Sequence, residues 1–100
     1  AYPSVVCVTS LSTDFTPSVF TNYGMPADIA APGGDLYYHK KLSDAGQVLS
    51  TVPRLDGMYA YKSGTSMSCP HVSGVAALAL SYAKKLGKTF EPDEFRSMLL

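Results

Sequence analysis

The chain has 100 residues, 46% of them hydrophobic, and its eight Lys or Arg residues are balanced by eight Asp or Glu. That is enough apolar material for one ordered unit and excludes disorder, while a net charge of zero excludes electrostatic capture of nucleic acid or an anionic membrane surface. No run approaches the roughly 20 apolar residues of a membrane span, and Ala1-Tyr2-Pro3-Ser4 lacks the basic and apolar regions of a signal peptide.

Residues 4–9 (Ser-Val-Val-Cys-Val-Thr) are a β-branched run without alternation, the pattern of a strand covered on both faces. A polar stretch holding Asp14 and Pro17 follows, and Asp28-Ile29-Ala30-Ala31 gives a second short strand that Pro32-Gly33-Gly34 stops. Residues 35–46 are polar and predict an exposed loop or hairpin tip before a third strand, Gln47 to Val52, which Pro53 closes. Met58 to Lys62 alternates β-prone residues and runs straight into Ser63-Gly64-Thr65-Ser66.

From Thr65 or Ser66 onward Val72, Val75, Ala76, Ala79, Ala83 and Leu86 recur at helical spacing. Ala77, Leu78 and Leu80 carry the apolar surface around much of the circumference, so the spacing predicts a central, buried helix. Lys84, Lys85 and Lys88 suit its negative end, and Gly87 is placed at C′. A second helix follows with Pro92 at its first position, Asp93 and Glu94 in its first turn, and Phe90 and Phe95 at the spacing of a hydrophobic staple. There is no internal repeat or low-complexity tract.

Chemistry concentrates in Gly64-Thr65-Ser66-Met67-Ser68-Cys69-Pro70-His71-Val72-Ser73-Gly74. At the first turn of a helix, free N–H groups and the positive end of the dipole surround a serine hydroxyl and favour an oxyanion developing beside it. Gly64 lets a substrate backbone come close. By composition alone, Thr65 or Ser66 as a plain N-cap explains the same residues. The run from Gly64 to Leu78 closely resembles the nucleophile motif of the subtilisin-like serine proteases, which begins Gly-Thr-Ser-Met and continues to Pro-His. The resemblance extends outward to Tyr2-Pro3-Ser4-Val5-Val6-Cys7-Val8, to Asp28-Ile29-Ala30-Ala31-Pro32-Gly33, and to the two strands before the motif, leaving residues 35–46 as an insertion.

The resemblance implies an α/β fold, the C-terminal portion of a three-layer architecture with a mainly parallel sheet and the buried helix at its centre. Residues 1–100 would form one nucleophile-bearing part of a catalytic domain. It further implies an endopeptidase acting on polypeptides through an acyl-enzyme on Ser66, with Gly64, Thr65 and Ser66 forming the nucleophile loop and the Ser66 N–H one oxyanion donor. The family's Asp-Thr/Ser-Gly and His-Gly-Thr motifs do not occur in these 100 residues. Neither does Asn22 align with the family's oxyanion asparagine. The isolated chain is therefore expected to be inactive, and its uncovered edges and apolar faces to promote self-association. Export to the envelope or beyond the cell is a family expectation only. The rival reading is a non-catalytic, subtilase-like binding or scaffolding module.

Other residues invite roles. His71 lies five residues after Ser66, about 140° around a helix, and is expected to serve packing or hydrogen bonding rather than act as the base. A local Ser66-His39-Asp35 triad is the less favoured alternative. Cys7 and Cys69 lack metal-ligand spacing and read as buried structural thiols. Asp28 with the carbonyls of Tyr2 and Val5 resembles a weak calcium or sodium site of some subtilisins, although a surface aspartate accounts for it better; no cofactor is required. Tyr37-Tyr38 and Tyr59-Tyr61 line a cleft or pack on strands. Ser68 stands where the last glycine of a Gly-x-Ser-x-Gly elbow belongs, which disfavours the α/β-hydrolases.

Overall fold

The computed structural model describes residues 2–22, 24, 26–38 and 41–100, with only the main chain of Tyr38 and Leu42. Strand β1 (Val8–Leu11) pairs in parallel with β2 (Ile29–Pro32), in the register Val8 to Ile29 through Leu11 to Pro32. Pro32 is tolerated because it ends the strand and its missing N–H is not needed further along. The first strand starts later than the apolar run suggests. Val5 is held in a turn by its N–H on the Tyr2 carbonyl at 3.0 Å, and pairing begins only where the Cys7 carbonyl accepts Asp28 and Ile29. Its interior residue Ser10 is 1% exposed, and the Ser10 N–H is satisfied by the Thr21 hydroxyl at 2.9 Å.

The polar insertion is a small hairpin, as its composition predicts, of β3 (Tyr37–Tyr38) and antiparallel β4 (Lys41–Leu42), followed by a 3-10 turn at Asp44–Gly46. Its base is not exposed, however. Asp35 is 4% exposed, its N–H donates to the Gly46 carbonyl at 2.7 Å, and its carboxylate accepts the N–H groups of Val19 at 3.0 Å and Tyr37 at 3.4 Å. Strand β5 (Val48–Thr51) pairs antiparallel with β6 (Tyr59–Lys62) across a second 3-10 turn at Arg54–Asp56. The parallel pair is thus the family-like element, and the two hairpins run antiparallel beside it.

Helix α1 (Thr65–Lys85) packs on β1 and β2, and α2 (Pro92–Leu99) follows. Both ends of the link between them follow local chemistry. Lys88 N–H on the Ala83 carbonyl at 2.9 Å and Gly87 N–H on Lys84 at 3.1 Å make a Schellman closure with Gly87 at φ 72°. Phe90 and Phe95 meet with ring centroids 6.0 Å apart, completing the staple, and Glu91 and Glu94 cap each other's backbone N–H groups.

The expectation of a buried α1 needs correcting for these 100 residues: only Ser68 and Ala83 of the helix are buried. Val72, Ala76, Ala79 and Ala83 are the residues of one stripe that are shielded, whereas Val75, Leu78, Tyr82 and Leu86 form a second apolar stripe that is exposed. A two-stranded sheet is too narrow to cover a helix that is apolar on both sides.

Candidate active site

The sequence places Gly64 at the junction of β6 and α1, and the structure makes it the helix N-cap at φ 154°, ψ 161°, a region essentially reserved for glycine. Thr65 and Ser66 are the first two helical residues, so neither is the N-cap, and the cap makes no side-chain hydrogen bond. The plain capping explanation for these two hydroxyls is thereby set aside. The Met67 N–H closes the turn onto the Gly64 carbonyl at 2.9 Å. The N–H groups of Thr65 and Ser66 have no hydrogen-bond partner among the described residues, and the Ser66 side chain is exposed. An exposed hydroxyl beside unpaired N–H groups at the positive end of a 21-residue helix can receive a developing negative charge.

Two hollows flank this turn. Ser66 and Met67 line one of about 320 Å³ with Leu49, Ser50, Pro70 and His71. Thr65 lines another, of about 310 Å³, with Thr9, Phe20 and Asn22. Pro70 has no N–H to offer the Ser66 carbonyl one turn behind it, so that carbonyl lacks its usual helical donor.

His71 shares the first hollow with Ser66, yet no hydrogen bond joins them among the described residues. Its Nδ1 instead lies 2.7 Å from the Met67 carbonyl, one turn back, where it donates. A ring tied to its own helix is a structural element. His71→Ala in the full-length protein is expected to cost about 1 kcal/mol of stability and to leave in place any near-neutral pKa that a pH–rate curve shows. Thermal melts and pH–rate curves check both halves.

Asp35 spends its carboxylate on Val19 and Tyr37, and His39 lies outside the described residues. Cys69, expected to be buried, is exposed on this chain, and Cys7 is half-buried; both are free thiols. Tyr37, Tyr59 and Tyr61 are exposed.

Two of the groups suggested for a cation have partners within the chain. The Tyr2 carbonyl accepts the Val5 N–H, while the Asp28 carboxylate accepts the Cys7 N–H at 2.8 Å and pairs with Arg96 at 3.0 Å. A guanidinium already supplies the positive charge. Among the described residues no three His, Cys, Asp or Glu side chains gather around a point that could hold a metal. The Cys7 N–H, with Arg96 adding to it, keeps the Asp28 carboxyl below the usual carboxylate range. A depressed folded pKa favours the native state in full above the unfolded value of about 3.9 and loses that contribution as pH falls through the folded value. Asp28→Asn is therefore expected to flatten the acid-side fall in thermal midpoint of the full-length protein below about pH 4, measured against the unsubstituted protein.

Among the described residues, no helix is long and apolar enough to cross a membrane. Comparison with known proteins agrees with the motif. The chain is 43% identical over 81 residues to the extracellular basic protease of Dichelobacter nodosus, covering 81% of this chain and 12% of that protein. It is 37% identical over 83 residues to thermitase of Thermoactinomyces vulgaris, 83% of this chain and 25% of that one. The intracellular serine protease of Paenibacillus polymyxa is 38% identical over 92 residues, 92% of this chain and 23% of the relative. The chain thus spans a quarter or less of these relatives' lengths. The subtilase profile matches residues 1–100 from end to end, and the chain belongs to the subtilase family of peptidases.

Proposed function

We propose that the protein carrying these residues is a serine endopeptidase of the subtilisin type, and that Ser66 is its nucleophile. The observation that carries this reading is the exposed Ser66 hydroxyl on the first turn of α1, beside the unpaired N–H groups of Thr65 and Ser66. In the reaction Ser66 Oγ bonds to the carbonyl carbon of a peptide and its proton passes to a histidine base from outside these 100 residues. The Ser66 N–H faces the oxyanion, and Gly64 gives the substrate backbone room. Collapse of the tetrahedral intermediate breaks the C–N bond, the histidine gives its proton to the leaving amine, and water then hydrolyses the Ser66 ester.

The isolated chain, without that base and with only part of an oxyanion site, is inactive on this reading. Export of the whole protein belongs to the same proposal; the Dichelobacter relative is named as extracellular and the Paenibacillus relative as intracellular. A fluorophosphonate probe tests the assignment: it labels the full-length protein and not its Ser66→Ala variant, whereas labelling of both would place the nucleophile elsewhere.

A further inference from the structure

Gly33 lies where β2 ends and the Ser66 turn begins. Its N–H donates to the Leu11 carbonyl at 3.2 Å, and its own carbonyl accepts the Gly64 N–H at 2.9 Å. The Gly64 carbonyl then accepts Met67 N–H at 2.9 Å, closing the turn on which Ser66 stands. A methyl group at position 33 would lie 2.7 Å from that Gly64 oxygen and 2.2 Å from each of the Ser10 and Ser68 hydroxyl oxygens. These are closer than nonbonded atoms approach. The hydroxyls could be removed by substitution, but the Gly64 carbonyl is main chain and is held by Met67.

The hydroxyls mark how tightly this region is closed. Ser68 is 0% exposed and its Oγ has no partner among the described residues. Ser18 gives its proton to the Gly34 carbonyl at 2.7 Å, so Ser10 is the donor in the 2.7 Å Ser10–Ser18 pair. A buried hydroxyl left without a partner is unfavourable. It sits on the inner side of the first turn of α1, where a side chain at position 33 would collide with it.

We propose that Gly33 is a positioning residue for the reaction. It grips Gly64 twice, accepting a hydrogen bond from its N–H and, for want of a side chain, letting its carbonyl oxygen press close, and so fixes where Ser66 Oγ stands. The inference rests on Ser66 being the nucleophile. Displacing a reacting group by about 1 Å costs on the order of a hundredfold in rate.

The test uses the full-length protein in four forms: unsubstituted, Gly33→Ala, Ser10→Ala/Ser68→Ala, and all three substitutions together. Gly33→Ala is expected to lower both thermal midpoint and kcat, the latter by about a hundredfold, with KM within about threefold. In the doubly substituted background the two hydroxyl contacts are gone and the contact with the Gly64 carbonyl remains. The thermal midpoint is expected to recover there, while kcat stays at least about thirtyfold below that of the double variant. This comparison also serves if Gly33→Ala alone does not fold. Recovery of kcat together with the midpoint, or full kcat in Gly33→Ala, would overturn the proposal and leave Gly33 a packing residue. Undiminished hydrolysis by Ser66→Ala, or none by the unsubstituted protein, would instead sink the nucleophile assignment and take this inference with it.

Discussion

Ser66→Ala in the full-length protein is expected to lower kcat for peptide hydrolysis on the order of 10⁶-fold, with KM changed by no more than a few-fold. The loss corresponds to about 8 kcal/mol of transition-state stabilisation. It is large because the hydroxyl, its base and the oxyanion donors act as one unit, and removing the attacking oxygen forces water to do the same work unassisted. What survives should be the part owed to the Thr65–Ser66 N–H groups and to substrate binding, because the backbone of the first turn of α1 is unchanged by losing one oxygen. Single-turnover and steady-state assays with the variant separate these contributions. A variant that keeps its rate would place the nucleophile elsewhere, and a parent with no Ser66-dependent rate would favour the binding or scaffolding module.

What the sequence showed and what it hid divide by the range of the interactions. Gly87, Phe90 with Phe95, and Pro92 were legible because caps and staples act over a few residues, and the observed geometry places each where its chemistry requires. The Glu91–Glu94 box escaped notice because glutamate is an unusual N-cap. Pairing across β1 and β2 was readable as two strands but not as a register. Its start at Cys7 depends on Asp28, and its interior residue, Ser10, is polar. The Asp28–Arg96 pair joins residues 68 apart, and no local pattern announces it. The Ser66 motif stood out by resemblance, whereas its brace did not. Gly33 reads in sequence as a strand stop, and only the fold brings its carbonyl to Gly64.

The second apolar stripe of α1 separates this chain from the whole protein more sharply than any other feature. In these 100 residues Leu78 is 72% exposed, and a charge there should alter the stability of an isolated monomer by no more than about 0.5 kcal/mol. It should also weaken self-association, since Val75, Leu78 and Tyr82 offer a contiguous apolar strip for a second copy to cover. Relatives about three to seven times as long have material to cover both sides of such a helix. In the full-length protein, Leu78→Asp is therefore expected to forfeit about 2 kcal/mol of apolar burial and to add the penalty of an unpaired buried carboxylate, for a total of about 4 kcal/mol or more. The one substitution should thus act in opposite directions, improving the behaviour of the short chain in sedimentation and lowering the melting temperature of the long one by many degrees. Tolerance of the aspartate in the full-length protein would mean that this stripe stays at the surface there too, and the central helix expected from its all-round apolar pattern would have to be abandoned.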